Sequence, residues 1–176
     1  MYPFARLALT LSAARRMPPL APFGTHVMSL RCWPWDADMF REMNNGRVLT
    51  LCDLGRFGLA VRIGLWDVLK ARGWGLVVAG ASVRYRARIR PFQRFELRTR
   101  VVGWDARFVY IEQAMWRGET CCHHALLRTG VTVGGRLADT AMVAEALGVA
   151  DDVPPLPDWV AAWTQADAGR PWPPDL

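Results

Sequence analysis

Two aspartates separated by one residue, Asp36 and Asp38, precede the run Asn44-Asn45-Gly46 by a few positions. A carboxylate can act on a substrate as a general base or as a nucleophile. Aspartates are also common where a strand turns, so these two residues by themselves are more typical of a strand end, and this is the prediction for Asp36. Asparagine side chains accept the unpaired amide hydrogens of a helix start, and the run therefore predicts that a helix begins there.

A third carboxylate, Asp53, falls about two turns into the predicted helix, on a face that is otherwise apolar. Two interpretations are open for it. The carboxylate could serve chemistry inside an apolar site, or it could form a buried salt bridge with Arg56, three residues later on the same helix face.

Adjacent residues of the run Cys121-Cys122-His123-His124 would point to opposite faces of a strand, which leaves only two ligands on each side. The run therefore does not predict a metal site. Arginines alternate with apolar residues in two predicted strands. On the simpler interpretation they form the solvated face of a sheet; on the other, they hold phosphates. They are Arg84, Arg86, Arg88, Arg90, Arg94 and Arg98.

The periodicity predicts the elements that must position these residues. Apolar residues at helical spacing give a long, largely buried helix over residues 47–63, and the asparagine run before it marks its start. A period of two, interrupted by turns, gives an antiparallel meander after it. In chain order, the predicted elements are a strand over 26–35, the long helix, a helical turn over 66–72, strands over 83–89, 94–101, 107–116 and 120–133, and a helix over 139–147.

Length and composition predict one globular domain. The 176 residues divide into a basic and apolar N-terminal segment (1–24), a domain (25–150) and a proline-rich, loosely ordered tail (151–176). The net charge of +6 comes almost entirely from arginine. Nine tryptophans are typical of either a core or buried subunit contacts, which makes a homo-oligomer more plausible. Four cysteines, two of them adjacent, fit a reducing cytoplasm better than a disulfide framework. The longest uncharged run of the first 16 residues is too short to span a bilayer, although a surface helix could lie there on the domain or on a membrane.

The stretch from Trp35 to Leu49 resembles the entry to the central helix of hotdog thioesterases of the 4-hydroxybenzoyl-CoA thioesterase type. In that family the pattern is roughly D-x-D, a short loop, H-V-N-N, a small residue and a tyrosine. The runs Arg84-Tyr85-Arg86, Arg94-Phe95-Glu96-Leu97 and Gly103-Trp104-Asp105 resemble the thioesterase superfamily member 6 subgroup. The similarity spans about residues 29–148. It implies an α+β hotdog fold, with an antiparallel sheet of about five strands wrapped around one long central helix.

The resemblance also implies an acyl-CoA thioesterase. Asp38 would be its nucleophile or general base, and the amides around Asn45 and Gly46 would stabilise the oxyanion. Related hotdog enzymes carry their acid near the position of Asp53. The expected substrate contacts are Asn44, Glu42 and the arginines that would hold the phosphates of coenzyme A, namely Arg84, Arg86, Arg88 and Arg94. No metal or redox cofactor is expected; coenzyme A enters as part of the substrate, and the assembly is expected to be a homodimer or homotetramer.

The sequence departs from the family pattern at Arg41, Glu42 and Val48, which replace a glycine, a histidine and a tyrosine. A competing interpretation is therefore a non-catalytic hotdog protein that binds an acyl thioester or assembles on a partner or a membrane through residues 1–16. A hotdog hydratase would need a histidine with a carboxylate in its tunnel, and none of the three histidines, His26, His123 and His124, is expected near the motif. Nucleic acid is not an expected partner, because the aromatic residues alternate onto the face opposite the arginines.

Overall fold

The computed structural model describes residues 2–149 and 154–174, which form five helices and a six-stranded antiparallel sheet. The helices are α1 (Phe4–Arg16), α2 (Asn45–Arg62), α3 (Leu65–Arg72), α4 (Thr140–Leu147) and α5 (Asp158–Ala168). The strands are β1 (His26–Arg31), β2 (Gly75–Tyr85), β3 (Arg94–Trp104), β4 (Val109–Arg117), β5 (Thr120–Val133) and β6 (Arg136–Leu137). The predicted domain boundary at residues 150 and 151 lies outside the described residues.

The sheet packs around α2, as the sequence predicted. Its strands run in the order β1-β3-β4-β5-β2, and the short β6 adds to β5. One core cluster joins Val48, Leu51 and Leu54 of the helix to residues from three strands, among them Leu97 and Leu127. Burial of this apolar helix on several sides confirms the α+β fold with one long central helix.

Two glycines let α2 approach the sheet closely. A Cβ atom at Gly55 would overlap the Thr99 hydroxyl and would lie only 2.8 Å from Gln113 Nε2. A Cβ atom at Gly58 would overlap the imidazole of His26 on β1. Glycine weakens a helix interior, so its presence at both positions reflects this close packing.

Strand β2 corrects the predicted sheet in two places. It begins at Gly75, whereas the alternating pattern predicted a strand only from residue 83, because residues 75–82 are apolar or small on both faces. It ends at Tyr85, so that Arg86, Arg88 and Arg90 lie in a loop and not on a strand. Since β2 and β3 are not neighbours in the sheet, residues 86–93 must cross from one edge of the sheet to β3.

The first strand is also shorter than predicted. Strand β1 ends at Arg31, and a 3₁₀ turn, Pro34–Asp36, follows it. Pro34 cannot donate a hydrogen bond to a sheet, so the strand cannot continue to residue 35 as predicted. The β3–β4–β5 meander and the helix at residues 140–147 are confirmed, the latter capped by Asp139, whose side chain accepts the Ala141 amide hydrogen.

The N-terminal segment forms α1, which lies against α2. The connection after it is fixed at the end of α2, where the Leu20 amide donates to the Arg62 carbonyl (2.9 Å) and Arg62 Nε donates to the Pro18 carbonyl (3.0 Å). Over the described residues, none of the helices combines the length and the apolar character needed to cross a bilayer.

The C-terminal tail is more ordered than predicted. Helix α5 packs on the outer face of the sheet, where Val160 is fully buried beside Tyr110 and Leu126. Asp167 accepts a hydrogen bond from Arg128 of β5 at 2.8 Å. The prolines suggested a loose extension, but an apolar side chain and an ion pair on α5 hold it to the sheet.

Replacing Gly55 with alanine tests the close approach of α2. Alanine gains about 1 kcal/mol of helix propensity, whereas overpacking against three side chains this close should cost about 2–3 kcal/mol, the upper part of the usual range. We therefore expect Gly55→Ala to lower the free energy of unfolding by about 1–2 kcal/mol in urea titrations. The matched control is Gly169→Ala, where an added Cβ has no heavy atom closer than 3.5 Å; its effect should be small. Equal or higher stability for Gly55→Ala would contradict the packing described above.

Candidate functional site

Helix α2 begins at Asn45 with the cap that the sequence predicted. The Asn44 side-chain oxygen accepts hydrogen bonds from the amides of Gly46 (2.9 Å) and Arg47 (3.3 Å). Within the described chain, the Asn45 amide makes no hydrogen bond. Of the two amides expected to stabilise an oxyanion, only that of Asn45 is therefore available, because the Gly46 amide already has an acceptor.

Asp38 lies in a small loop that an antiparallel bridge between Ala37 and Met43 closes. Its amide donates to the Glu42 carbonyl at 2.9 Å, and its side-chain oxygen Oδ1 accepts the Phe40 amide at 2.8 Å. The carboxylate thus stabilises the turn of its own loop. Its catalytic role stays a prediction.

Asp36 is buried, with only 1% of its side chain exposed. Its carboxylate pairs with Arg6 of α1 at 2.7 Å and with Arg47 of α2 at 3.2 Å, and it accepts the Trp33 amide at 2.9 Å. The prediction that Asp36 ends a strand is wrong, because β1 stops at Arg31. Asp36 instead joins α1, the 3₁₀ turn and the start of α2.

Glu42, which replaces the family histidine, pairs with Arg88 Nε at 2.7 Å. This ion pair joins the loop of Asp38 to the crossing loop 86–93. Arg84, Arg86 and Arg94 are exposed around the same end of the sheet. The predicted substrate-binding residues therefore lie near the start of α2. Arg84 and Arg94 are on strands, whereas Arg86 and Arg88 are in the crossing loop.

His123 is a candidate that sequence reasoning missed. It is buried on β5 opposite Tyr85 in the strand register, and the two rings meet edge to face with centroids 5.5 Å apart. The Tyr85 hydroxyl lies 3.5 Å from the Asn45 carbonyl oxygen, which brings His123 toward the helix start. Burial lowers the pKa of His123, and the Cys122 carbonyl and the Glu42 carboxylate oppose this shift. No sequence signal places it there, because strand pairing alone decides it.

A cavity of about 490 Å³ lies between α2 and the sheet. Its lining is almost wholly apolar, and its volume falls within the range of small-molecule sites. Side chains from α2, α4 and the strands form its walls, among them Phe57, Leu59, Ile63, Ile111, Val131 and Val143. Asp53 and Arg56 are its charged lining residues.

Asp53 forms the ion pair with Arg56 that was one of its two predicted interpretations. Arg56 also donates to the side-chain oxygen of Gln113 at 3.2 Å, and the Gln113 amide donates to the Cys52 carbonyl and the Thr99 hydroxyl, each at 2.9 Å. Burial raises the pKa of Asp53, and the Arg56 guanidinium acts against that rise. The pair leaves a half-buried carboxylate on the wall of the cavity.

The helix start and Asp53 cannot act on the same carbonyl. Asp53 lies eight residues after Asn45 in one continuous helix, which places them about 12 Å apart along the axis. The predicted catalytic residues therefore separate into a helix-start site, with Asp38, Asn45 and Gly46, and a mid-helix site at Asp53. Tyr2 borders both, since it lines the apolar cavity and also a shallow pocket with Asn44 and Gly46.

An antiparallel sheet wrapped around one apolar helix, with a carboxylate and an apolar cavity beside that helix, defines a hotdog domain. The family model of the Thioesterase-like superfamily matches residues 32–164. The chain belongs to this superfamily.

Similar proteins are found both in sequence and in structure. Protein THEM6 of Xenopus laevis is 37% identical over 111 residues, which cover 62% of this chain and 54% of that protein. The chain thus spans about half the length of this curated relative. A hypothetical protein of Thermus thermophilus superposes with a TM-score of 0.64 at 20% identity, covering 72% of this chain and 97% of the other. A 1,4-dihydroxy-2-naphthoyl-CoA thioesterase of Synechocystis superposes with a TM-score of 0.61 at 12% identity, covering 73% and 98%. These two likenesses concern the fold.

The buried Asp36 and the nearby Asp38 provide a matched pair for a stability test. Asp36→Asn removes the buried negative charge that pairs with Arg6 and Arg47, which should lower the free energy of unfolding by about 3 kcal/mol. Asp38→Asn keeps an oxygen that can accept the Phe40 amide hydrogen and should cost about 1 kcal/mol or less. Urea unfolding measures both, and limited trypsin cleavage at Arg15 and Arg16 reports release of α1. Similar effects of the two variants would contradict the structural role of Asp36.

Proposed function

We propose that the protein hydrolyses acyl-CoA thioesters and that the acyl group occupies the cavity beside α2. The observation that carries this proposal is the half-buried carboxylate of Asp53 on the wall of an apolar cavity of about 490 Å³. Membership of the Thioesterase-like superfamily supports the reaction class. An apolar cavity with few polar groups is the kind of site that binds an acyl chain.

In this mechanism Asp53 acts as a general base. It takes a proton from a water molecule, whose oxygen forms a bond to the thioester carbon; the C–S bond then breaks, and the proton passes to the departing thiolate. The Arg56 guanidinium lies beside the carboxylate, where it can stabilise the negative charge on the carbonyl oxygen. The fixed hydrogen bond from Arg56 to Gln113 restrains the guanidinium for that task.

The resemblance to hotdog thioesterases supports a different location for the same reaction, at the start of α2. There Asp38 would be nucleophile or base, and the free Asn45 amide would receive the oxyanion. The arginines at positions 84, 86, 88 and 94 would hold the phosphates of coenzyme A. The engaged Gly46 amide and the turn contact of Asp38 favour the mid-helix location over this one.

A second candidate function is a non-catalytic acyl-binding module. The ion pair between Asp53 and Arg56 favours it, because a carboxylate that is already paired is a weaker base. Such a protein would hold an acyl thioester in the cavity without turnover. Mass spectrometry of the purified protein under native conditions would then find bound acyl ligand and no free thiol product.

Asparagine substitutions distinguish these possibilities. With a panel of short, long and aromatic acyl-CoAs and a thiol reagent, Asp53→Asn should lower kcat/KM at least 100-fold, roughly the lower end of general-base effects. Asp38→Asn should keep most of the activity, and the exposed Asp67→Asn is the control.

The pH profile of the native protein gives a further test. Because the base must be deprotonated and burial raises its pKa, kcat/KM should fall at acid pH with a midpoint above the usual aspartate range.

Two other outcomes would each favour a different function or site. Loss of activity in Asp38→Asn alone would move the reaction to the helix start. If the native protein released no thiol from any acyl-CoA of the panel, the protein would instead be a non-catalytic acyl-binding module.

The proposal includes a homodimer formed through strand β2. This 11-residue strand is an edge of the sheet and exposes Leu76, Val77 and Val78, and a long apolar edge favours pairing with another strand. The other edge, β1, has only six residues. The four cysteines are all free, which supports a reducing cytoplasm as the location.

A charged residue on each edge tests the mode of assembly. Lysine on an edge strand opposes pairing, so Val78→Lys should convert a dimer into a monomer in sedimentation experiments. Val27→Lys places the same charge on β1, where Val27 is also exposed, and should leave the mass unchanged. Dissociation by Val27→Lys, or a native monomer, would count against the β2 dimer.

A further inference from the structure

Five large apolar side chains on the loops near the start of α2, four of them exposed and Trp33 partly buried, are here named the aromatic rim. Its members are Trp33, Trp35, Met39, Phe40 and Phe92. Met39 and Phe40, adjacent at the tip of one loop, are 86% and 73% exposed, and Trp35 and Phe92 are 66% and 60% exposed. Single exposed apolar residues are ordinary, whereas four on two loops that the Glu42–Arg88 ion pair joins mark an interaction surface.

Contacts between the two loops hold the rim in place. The rings of Trp33 and Trp35 stack with centroids 5.3 Å apart, and Phe92 meets Trp33 edge to face at 6.3 Å. The Phe92 amide donates to the Cys32 carbonyl at 2.6 Å. Phe92 adopts a left-handed backbone conformation, φ 69°, which is unfavourable for a bulky residue. Phe92 is thus held in a costly conformation with most of its ring in solvent.

Arginines surround the rim. Arg31 lies over the Trp33 ring at 5.5 Å from its centroid, and Arg94 begins the neighbouring strand. The loops that carry the rim also carry three further arginines, which pair with no carboxylate of the described residues. They are Arg41, Arg86 and Arg90.

The acidic residues of the same loops are mostly neutralised. Asp36 is paired with two arginines and Glu42 with Arg88, which leaves Asp38 without a cationic partner among the described residues. The surface around the rim is therefore cationic.

We propose that the aromatic rim docks the protein on an anionic membrane surface. Tryptophan and other amphipathic or apolar rings are favoured at the level of lipid headgroups, and guanidiniums bind lipid phosphates bidentately. A second copy of the chain would bring a like-charged ring of arginines against this one, which opposes self-association through the rim. A lipid surface supplies both the apolar layer and the negative charge that the rim matches.

This docking differs from membrane contact through residues 1–16. Helix α1 presents Phe4 and Leu9 to solvent, 70% and 71% exposed, and thus offers a separate apolar surface for comparison. Binding of the rim to a membrane requires no thioester hydrolysis. Vesicle binding can therefore be present or absent whether or not the protein is a thioesterase.

Vesicle flotation with the full chain tests the proposal. The native protein should float with vesicles of phosphatidylcholine and phosphatidylglycerol, float poorly with phosphatidylcholine alone, and bind less at raised salt. The double variant Met39→Ser, Phe40→Ser should bind at least tenfold more weakly, since even partial burial of two large apolar side chains contributes more than about 1.4 kcal/mol. The matched control is Leu9→Ser, an equally exposed apolar residue on α1, which should bind within about twofold of the native protein.

Substitutions of arginines test the charged part of the surface separately. Arg86→Gln with Arg90→Gln should lower vesicle binding about fivefold for each arginine removed. The control is Arg136→Gln. Arg136 pairs with the opposite end of β5, so this substitution should not change vesicle binding.

Four results would overturn the proposal. The first is no flotation with anionic vesicles, and the second is flotation that is lost in Leu9→Ser but kept in the rim variant. The third is a change of oligomeric mass, without a change of vesicle binding, in the rim variant. The fourth is an effect of the arginine substitutions on acyl-CoA affinity alone, which would assign these residues to the substrate.

Discussion

The burial of α2 is the constraint on which the rest of the structure depends. Its buried residues lie on most of its circumference, so a flat sheet along one side could not cover it. Gly55 and Gly58 allow the strands to come close, and the sheet packs around the helix. Two places on the helix then combine polar groups with access from outside. These are its exposed start, at Asn44 to Gly46, and the cavity wall at Asp53.

The environments of three aspartates show how packing assigns roles to identical side chains. Asp36 contacts two guanidiniums and a backbone amide, and its charge is used to join three elements. Asp38 closes its own turn. Asp53 has one guanidinium partner and an apolar cavity beside it; burial raises its pKa, and the cavity offers space for a substrate. The position of a carboxylate in the chain did not indicate which of these environments it would have.

Strand order explains why arginines cluster near the start of α2. Because β5 and not β3 is the neighbour of β2, the chain must cross the end of the sheet between residues 86 and 93. Three arginines that would otherwise alternate along a strand are carried into this crossing loop. The crossing also brings Arg88 to Glu42 and Phe92 to Trp33, and so gives one end of the domain its cationic and aromatic character.

The sequence by itself determined the central helix, its asparagine cap and the β3–β4–β5 meander, because helical and strand periodicities and capping residues act over short distances along the chain. It also carried the family resemblance and left the Asp53–Arg56 pair open as one of two interpretations. Only the tertiary structure decided that residues 75–82 form an edge strand, that α5 covers the sheet, and that Asp36 is buried. It likewise decided that His123 lies opposite Tyr85. These features depend on which distant segments pair, and strand pairing and burial are properties of the whole fold, which local patterns do not encode.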